Sequence, residues 1–238
     1  MAPPLLLRTV VAPVFGANCY VLSAPGGACV IVDTGAGTAQ EVVALVRKHA
    51  LEPVAVLATH GHVDHTWDAA AVCDELDVPL LLHEADAYRV ADPFGTLGLG
   101  SSDGSATGLL AEALRAMGID PRSYREPSRV VTFATRPGVV DDLDLGDLGL
   151  RALHAPGHTE GSTFYLVDLT SGPAALTGDV LFAGTIGRTD LPGGDSAAMA
   201  RTLRDVVPLV APDARLFPGH GPATSLAAER RSNPFLAG

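Results

Sequence analysis

Ten residues that directly follow an apolar run hold an unusual density of metal-capable side chains. The segment THGHVDHTWD, residues 59–68, contains three histidines and two aspartates, although the whole chain of 238 residues has only eight histidines. The preceding run VAVLA is typical of a buried strand. Polar groups packed at this density have to be satisfied by partners when they are buried. The segment therefore predicts a binding site, most simply for metal, at the end of a strand.

The same order of apolar strand, glycine and metal-capable side chain recurs along the chain. It is found in VLATHGH with His60 and His62, in LHAPGH with His158, in ALTGD with Asp179, and in RLFPGH with His220. Glycine allows the backbone to turn sharply and to approach an ion closely. Ligands at several strand ends can converge on one edge of a layered fold, where rigid strands fix their positions.

Alternation within the first cluster favours two ions over one. In an extended backbone His60, His62 and Asp64 point the same way and His65 points elsewhere, so one segment can serve two ions. Imidazole and carboxylate without thiolate suit zinc, iron or manganese. Seven candidate ligands exceed the need of one tetrahedral ion, whereas two ions about 3.5–4 Å apart would use all of them. We interpret the remaining histidines considered as structural or exposed: His49, His83 and His154.

Apolar runs bounded by glycine, proline and aspartate predict strands, and helical spacing of apolar residues predicts helices between them. The strand segments are TVVAPV, NCYVLSA, ACVIVDTG, VAVLAT, PLLLH, LGLRALHA, STFYLVDL, AALTGDVLF and ARLFPGH, and the helical ones are TAQEVVALVRKHA, TWDAAAVCDELD, LLAEALRAMG and AAMARTLRDVV. Strands followed by helices occur twice, which favours two sheets packed face to face with helices outside. We expect one domain over residues 1–238, with a glycine- and serine-rich insertion at about residues 91–127. The insertion is interpreted as a mobile surface segment, with a substrate-covering lid as the alternative.

Composition excludes several classes of partner. The net charge of −11 argues against nucleic acid and anionic membranes. No apolar run reaches the roughly 18 residues of a membrane span, and the beginning MAPPLLLRTVV is unlike a signal peptide. Cys19, Cys29 and Cys73 lie among apolar neighbours and are expected to be buried, reduced thiols. We therefore expect a cytoplasmic protein that acts on a small molecule; its oligomeric state is left open.

Four motifs taken together, THGHVDH, APGHTEGS, LTGDVLF and FPGHGP, resemble the metallo-β-lactamase superfamily in its glyoxalase II-like branch. The resemblance implies an α+β fold, a four-layer αββα sandwich with the metal site at one edge of the two sheets. Asn18 and the VDTG of residues 32–35 also match, and Asp33 is expected to support the site without binding metal. The resemblance further implies His60, His62 and His158 for the first ion, Asp64, His65 and His220 for the second, and Asp179 as the bridge.

The activity implied by the resemblance is hydrolysis of a small-thiol thioester, such as S-lactoylglutathione or a related 2-hydroxyacyl thioester, as in methylglyoxal detoxification. Two divalent ions, zinc before iron or manganese, would carry a bridging hydroxide that attacks the carbonyl, and Asp64 would orient it as the catalytic carboxylate. A thiolate leaving group, whose conjugate acid has a pKa of about 8.5, needs little acid assistance. Typical class B β-lactamases carry a cysteine at the position of Asp179, which disfavours that activity.

Two departures from longer glyoxalase II enzymes bear on the thiol carrier. Arg188, nine residues after Asp179, stands where they have a lysine that contacts the carrier, and Asp190 replaces a tyrosine. Only 18 residues follow His220, so we do not expect their C-terminal helical extension. Arg188 is a candidate substrate-binding residue, and glutathione, mycothiol and bacillithiol all stay open as carriers.

A persulfide dioxygenase is the main alternative from another class of enzyme. That family, also similar in sequence, uses one iron on the equivalents of His60, His158 and Asp179 and oxidises a thiol-bound persulfide with O₂. The segment TIGRTDLPGG departs from its usual CGRTDFQ, which favours the hydrolase. A lactonase and a non-catalytic metal-binding protein are the remaining alternatives.

Overall fold

The computed structural model describes residues 2–100 and 107–236. Within these residues the chain forms two six-stranded sheets and a short hairpin. The strands of the first sheet, in spatial order, are β1 (Leu6–Val11), β2 (Asn18–Ser23), β3 (Ala28–Val32), β4 (Glu52–Leu57), β5 (Leu80–His83) and β6 (Val130–Phe133). Those of the second are β14 (Thr224–Ser225), β13 (Arg215–Pro218), β10 (Gly172–Gly178), β9 (Thr163–Leu169), β8 (Arg151–His154) and β7 (Val140–Asp142), and the hairpin is β11 (Leu181–Phe182) with β12 (Thr185–Ile186).

Both sheets are mixed. In the first sheet β1, β2 and β3 are antiparallel neighbours, and β3 to β6 run parallel. In the second sheet only β10 and β13 are parallel. The strands β8, β10 and β13 therefore point the same way, so that their C-terminal ends lie on one edge of the sheet.

The helices cover the outer faces of the two sheets. Between the sheets, Leu22 and Leu57 of the first sheet pack with Tyr165 and Leu176 of the second in one apolar core. A second cluster joins the first sheet to α1 and α3, and a third joins the second sheet to α6 and α7. The predicted αββα sandwich is thereby confirmed. The α-helices are α1 (Ala39–Lys48), α2 (Val63–Thr66), α3 (Ala69–Leu76), α4 (Ala87–Ala91), α5 (Gly108–Ala116), α6 (Ser196–Arg201) and α7 (Leu226–Ser232).

The edge strands β6 and β7 were not predicted from the sequence. Strand β6 is a four-residue strand, VVTF, whose two middle residues are exposed, and β7 is the three-residue, mostly acidic VDD. Neither has the apolar alternation by which a half-buried strand is identified, because each lies at the end of its sheet. The three cysteines agree with expectation, since all are free and buried.

Some described residues of the segment at residues 91–127 are packed in the apolar core, while the mobility expected for the segment stays a prediction; residues 101–106 lie outside the described residues. The predicted helix is present as α5. Phe94 and Leu114 are buried in one cluster with Val63, the first residue of the metal-motif helix α2, and with Trp67, the residue that follows this helix. The phenol of Tyr124 donates a hydrogen bond of 2.6 Å to a backbone carbonyl of α4. The single-domain boundaries and the lid alternative stay predictions.

None of the described helices is long and apolar enough to cross a membrane.

The packing of α5 predicts unequal effects of the same substitution at two positions on this helix. Leu114 is 1% exposed and Leu109 is 83% exposed. We expect Leu114→Ala to lower the free energy of unfolding by about 2–5 kcal/mol, because it leaves a cavity, and Leu109→Ala to change it by no more than about 0.5 kcal/mol. Urea unfolding followed by Trp67 fluorescence measures both, since Trp67 lies in the same cluster. Equal stabilities of the two variants would show that α5 is not anchored.

Candidate metal centre

Three buried histidines meet where β4 and β8 end. His60 and His62 lie in the turn between β4 and α2, and His158 lies in the loop between β8 and β9. His62 Nδ1 is 2.9 Å from His158 Nε2. One ring nitrogen from each of the three lies within 4.8 Å of the others. This three-histidine triad has the size of a single ion's coordination shell.

A second triad lies beside the first and draws on α2 and the end of β13. Asp64 and His65 are in α2, and His220 follows β13. The Nε2 atoms of His65 and His220 are 3.1 Å apart, and His220 Nε2 is 3.2 Å from Asp64 Oδ2. Asp64 and His220 have side chains that are 24% and 27% exposed, whereas that of His65 is fully buried. The mixed triad therefore forms the open side of the centre.

Asp179, directly after β10, lies between the two triads. Its Oδ1 is 3.4 Å from His65 Nε2, and its Oδ2 is 3.8 Å from His158 Nε2. The backbone at Gly219 approaches closely here, because a Cβ at that position would lie 2.2 Å from Asp179 Oδ1. The structure thus brings together all seven residues that the sequence singled out as ligands, while their individual roles stay predictions.

The carboxylate of Asp33 fixes one histidine of each triad. Asp33 adopts a left-handed backbone conformation with φ of 58°, and it accepts hydrogen bonds from the backbone and hydroxyl of Thr59, both at 2.8 Å, and from His65 Nδ1 at 2.9 Å. Because the Thr59 hydroxyl donates to Asp33, it accepts from His60 Nδ1 at 3.1 Å. Both imidazoles consequently turn Nε2 toward the centre.

Backbone carbonyls fix two further histidines in the same way. His158 Nδ1 donates to the carbonyl of Arg188 at 2.8 Å, and His220 Nδ1 donates to the carbonyl of Phe15 at 3.1 Å. Phe15 also has a positive φ of 64°. Such outer hydrogen bonds determine which nitrogen of a histidine is left to bind metal. The Nε2 atoms of His158 and His220 are therefore the ones that face the other candidate ligands.

Burial and charge shift the pKa values of the candidate ligands in different directions. Burial lowers the pKa of His60, and it lowers the pKa of His62 to about 3, with His158 adding to that shift. Burial, the largest single effect, would raise the pKa of Asp64 and Asp179, but His65 and the other neighbouring histidines together outweigh it and keep both carboxyl pKa values below their usual range. Conversely, Asp179 and Asp64 raise the pKa of His65 against the effect of its burial.

The donor set fits a divalent metal ion. The buried atoms His60 Nε2 and Asp179 Oδ1 have no hydrogen-bond partner among the described residues. Polar atoms left unpaired inside a protein are costly unless something binds them. Imidazole nitrogens and carboxylate oxygens are ligands for zinc, iron and manganese alike, so the chemistry of the cluster fits a divalent cation without specifying which one.

The other residues considered from the sequence lie outside this cluster. The side chain of Arg188 is exposed and forms a two-pronged ion pair with Asp190, with distances of 2.7 and 2.8 Å. Its predicted contact with substrate stays a prediction. The rings of His83 and His154 stack at 4.0 Å, in agreement with a structural role.

Sequence reasoning missed four groups that hold the candidate ligands: the hydroxyl of Thr59, the carbonyls of Phe15 and Arg188, and the carboxylate of Asp86. Asp86 accepts hydrogen bonds from the loops of the three-histidine triad. It lies three residues after the end of β5, in LLLHEAD, so the search for acidic residues behind strand ends could have found it. A carbonyl oxygen has no such signal, because every residue carries one.

Comparison with known sequences identifies relatives over nearly the whole chain. An uncharacterized protein of Mycobacterium tuberculosis strain H37Rv is 39% identical over 238 residues, which cover 98% of this chain and 99% of that protein. A probable metallo-hydrolase of Bacillus subtilis, YqgX, is 31% identical over 225 residues, 93% of each chain. The hydroxyacylglutathione hydrolase GloC of Haemophilus influenzae is 29% identical over 223 residues, again 93% of each.

Solved structures agree with these relatives. The B3 metallo-β-lactamase BLEG-1 superposes with a TM-score of 0.74 at 28% identity, covering 98% of this chain and all of that one. TTHA1623, solved in a di-iron-bound form, gives a TM-score of 0.71 at 31% identity, covering 96% of this chain and all of that one. The family model of the metallo-β-lactamase superfamily matches residues 12–220, which include every residue of both triads. The chain therefore belongs to the metallo-β-lactamase superfamily.

Proposed function

We propose that this protein is a binuclear metal-dependent hydrolase of the glyoxalase II-like branch, which cleaves a thioester of a small thiol. The observation that carries the proposal is the pair of adjacent triads with Asp179 between them. A single metal ion would need only one such triad. Because a second triad lies directly beside the first, the arrangement favours two ions. The proposed ligands are His60, His62 and His158 for one ion, Asp64, His65 and His220 for the other, and Asp179 for both.

Two divalent ions bound here would lower the pKa of a bound water and polarise a substrate carbonyl, and zinc is our first choice with iron and manganese as alternatives. Asp64 is the carboxylate placed to orient a water and to accept its proton. It stands on the open side of the centre, and His65 and His220 together with His62 keep its pKa low against the effect of burial, so it is ionised near neutral pH. An ionised carboxylate is the form that accepts a proton.

A thioester is a suitable substrate for this metal centre because its leaving group, a thiolate, is weakly basic. The conjugate acid of a thiolate has a pKa of about 8.5, so departure needs little help from a protein acid. The similarity to the hydroxyacylglutathione hydrolase of Haemophilus influenzae supports a 2-hydroxyacyl thioester such as S-lactoylglutathione, and with it a role in methylglyoxal detoxification. That the protein is cytoplasmic, and that it binds neither nucleic acid nor membranes, stays a prediction.

A persulfide dioxygenase is the second candidate function. His60 belongs to one ligand group with His158 and to another with Asp179, and His158 Nε2 is 3.8 Å from Asp179 Oδ2. Two imidazoles and one carboxylate are a ligand set used by non-haem iron oxygenases. This candidate uses only part of the ligand set, since it leaves Asp64 and His220 without a role. The two functions therefore differ in metal stoichiometry.

The proposal predicts that Asp64→Asn removes both hydrolysis and one metal ion. We expect about two ions per chain and S-D-lactoylglutathione hydrolysis in the wild type. In Asp64→Asn we expect about one ion and a kcat lower by a factor of about 10² or more, because a proton acceptor and an anionic ligand are lost together. Elemental analysis and thiol release measured on the same samples test this.

Asp68→Asn is the matched control for that experiment. The Asp68 carboxylate accepts backbone hydrogen bonds from Gly37 and Ala39 and belongs to neither triad, so this variant should keep two ions and its activity. One iron per chain in the wild type, with O₂ uptake on glutathione persulfide and no hydrolysis, would reverse the choice between the two functions.

A separate prediction concerns the carrier contact proposed for Arg188. If its guanidinium binds an anionic thiol carrier, Arg188→Ala should raise KM and leave kcat unchanged, because the contact is equal in the ground and transition states. Asp190 pairs with the same guanidinium. Asp190→Asn should therefore lower KM by releasing it. Steady-state kinetics on both variants measures the two effects, and an unchanged KM in both would remove Arg188 from the substrate site.

A further inference from the structure

We propose that Asp86 is a positioning residue that holds the three-histidine triad in shape by joining its two loops. The inference rests on the proposed function, since it assumes that His60, His62 and His158 bind one ion. Asp86 ends a 3₁₀ turn that leads into α4 and is completely buried. Its side-chain oxygens bond to none of the candidate ion ligands; they bond to two backbone N–H groups and one hydroxyl of residues near those ligands in the chain.

The carboxylate of Asp86 receives three hydrogen bonds from the two loops. Its Oδ2 accepts from the backbone N–H of Gly61 at 2.7 Å, and Gly61 is the residue between the two histidines of the first loop. The same oxygen accepts from the hydroxyl of Thr159 at 2.7 Å, next to the histidine of the second loop. Its Oδ1 accepts from the backbone N–H of Gly161 at 2.8 Å. A single side chain therefore fixes the separation of the two loops.

Only an ionised carboxylate matches this set of partners. All three groups are donors, and a carboxylate accepts at both oxygens without offering a proton. Hydrogen bonds to a charged acceptor are also shorter and stronger than neutral ones. Asp86 packs closely against the backbone of Gly161, because a Cβ at Gly161 would lie 2.7 Å from Asp86 Cβ. An amide in this place would turn an NH₂ toward a donor.

The charge of Asp86 is balanced by Arg89, whose side chain is also fully buried. Arg89 Nε is 3.4 Å from Asp86 Oδ1. Its Nη2 pairs with the carboxylate of Glu160 and donates to the carbonyl of Pro192 at 3.0 Å. A buried charge is tolerated when it is paired in this way. Arg89 thereby connects Asp86 to the segment at residues 187–195. In that segment, the carbonyl of Arg188 accepts the hydrogen bond that fixes the tautomer of His158.

These contacts are specific to one triad. Asp86 forms hydrogen bonds with the two loops that carry the three-histidine triad. In the mixed triad, His65 bonds to Asp33 and His220 bonds to the carbonyl of Phe15. Outer hydrogen-bond partners of metal ligands typically change metal affinity by about 10- to 100-fold. Loss of the Asp86 carboxylate should therefore weaken the ion of one triad and spare the other, which a general loss of stability would not do.

The experiment measures Zn²⁺ affinity by competition with a chromophoric chelator in two backgrounds of the full chain. His220→Ala keeps the three-histidine triad, and His62→Ala keeps the mixed triad. Adding Asp86→Asn should weaken Zn²⁺ binding by about 10- to 100-fold in the His220→Ala background. In the His62→Ala background it should leave the affinity unchanged.

Two further variants separate positioning from folding. Thr159→Val removes one of the three hydrogen bonds and should weaken Zn²⁺ binding in the His220→Ala background by less than Asp86→Asn does. Asp68→Asn removes a half-buried carboxylate that also accepts two backbone hydrogen bonds, and it should leave this affinity unchanged. Circular dichroism of each metal-free variant establishes whether it folds, and Thr159→Val serves as the test if Asp86→Asn does not.

The outcomes distinguish this inference from the function on which it rests. Unchanged affinity in the His220→Ala background, or equal losses in both backgrounds, overturns the role of Asp86 as a positioning residue. A His220→Ala protein that binds no Zn²⁺ before Asp86 is changed overturns the proposed three-histidine site itself.

Discussion

The packing of the two sheets is the constraint on which the centre depends. Side chains such as Leu57 and Tyr165 bury the inner faces against each other, and this holds the ends of β4, β8, β10 and β13 at one edge. Apolar burial contributes about 25 cal/mol per Å², so the position of the ligands is determined by the largest favourable term in folding. A cluster of polar and charged groups can then be kept at this edge, although its own burial is unfavourable.

Two internal carboxylates extend that constraint to individual atoms. Asp33 orients His65 directly and His60 through a hydroxyl, so it acts on both triads. Asp86 acts on the backbone of one triad only. The two acids differ in how the fold compensates their charge, because Asp33 accepts from an imidazole that neighbouring carboxylates favour as imidazolium, whereas Asp86 has a buried guanidinium beside it.

The sequence predicts the parts of this arrangement that depend on residues close together in the chain. His60, His62, Asp64 and His65 fall in one short segment, and glycine marks the other strand ends, so the ligands and the sandwich could be predicted. The supporting contacts could not, because they join residues far apart in the chain: the bond between His220 and the carbonyl of Phe15 spans 205 positions. The edge strands β6 and β7 escaped for a different reason, since their exposed residues lack an apolar pattern.

The short helix α2 links the centre to the segment at residues 91–127. Asp64 and His65 on this helix belong to the mixed triad. Val63 at its start and Trp67 just beyond its end are buried against Phe94 and α5. A four-residue helix has little stability of its own, because helix nucleation is unfavourable. Its orientation therefore depends on tertiary contacts, namely these apolar ones and the hydrogen bond between His65 and Asp33. The segment is therefore part of what holds the open side of the centre, and we expect a change in its packing to reach Asp64 through one turn of helix.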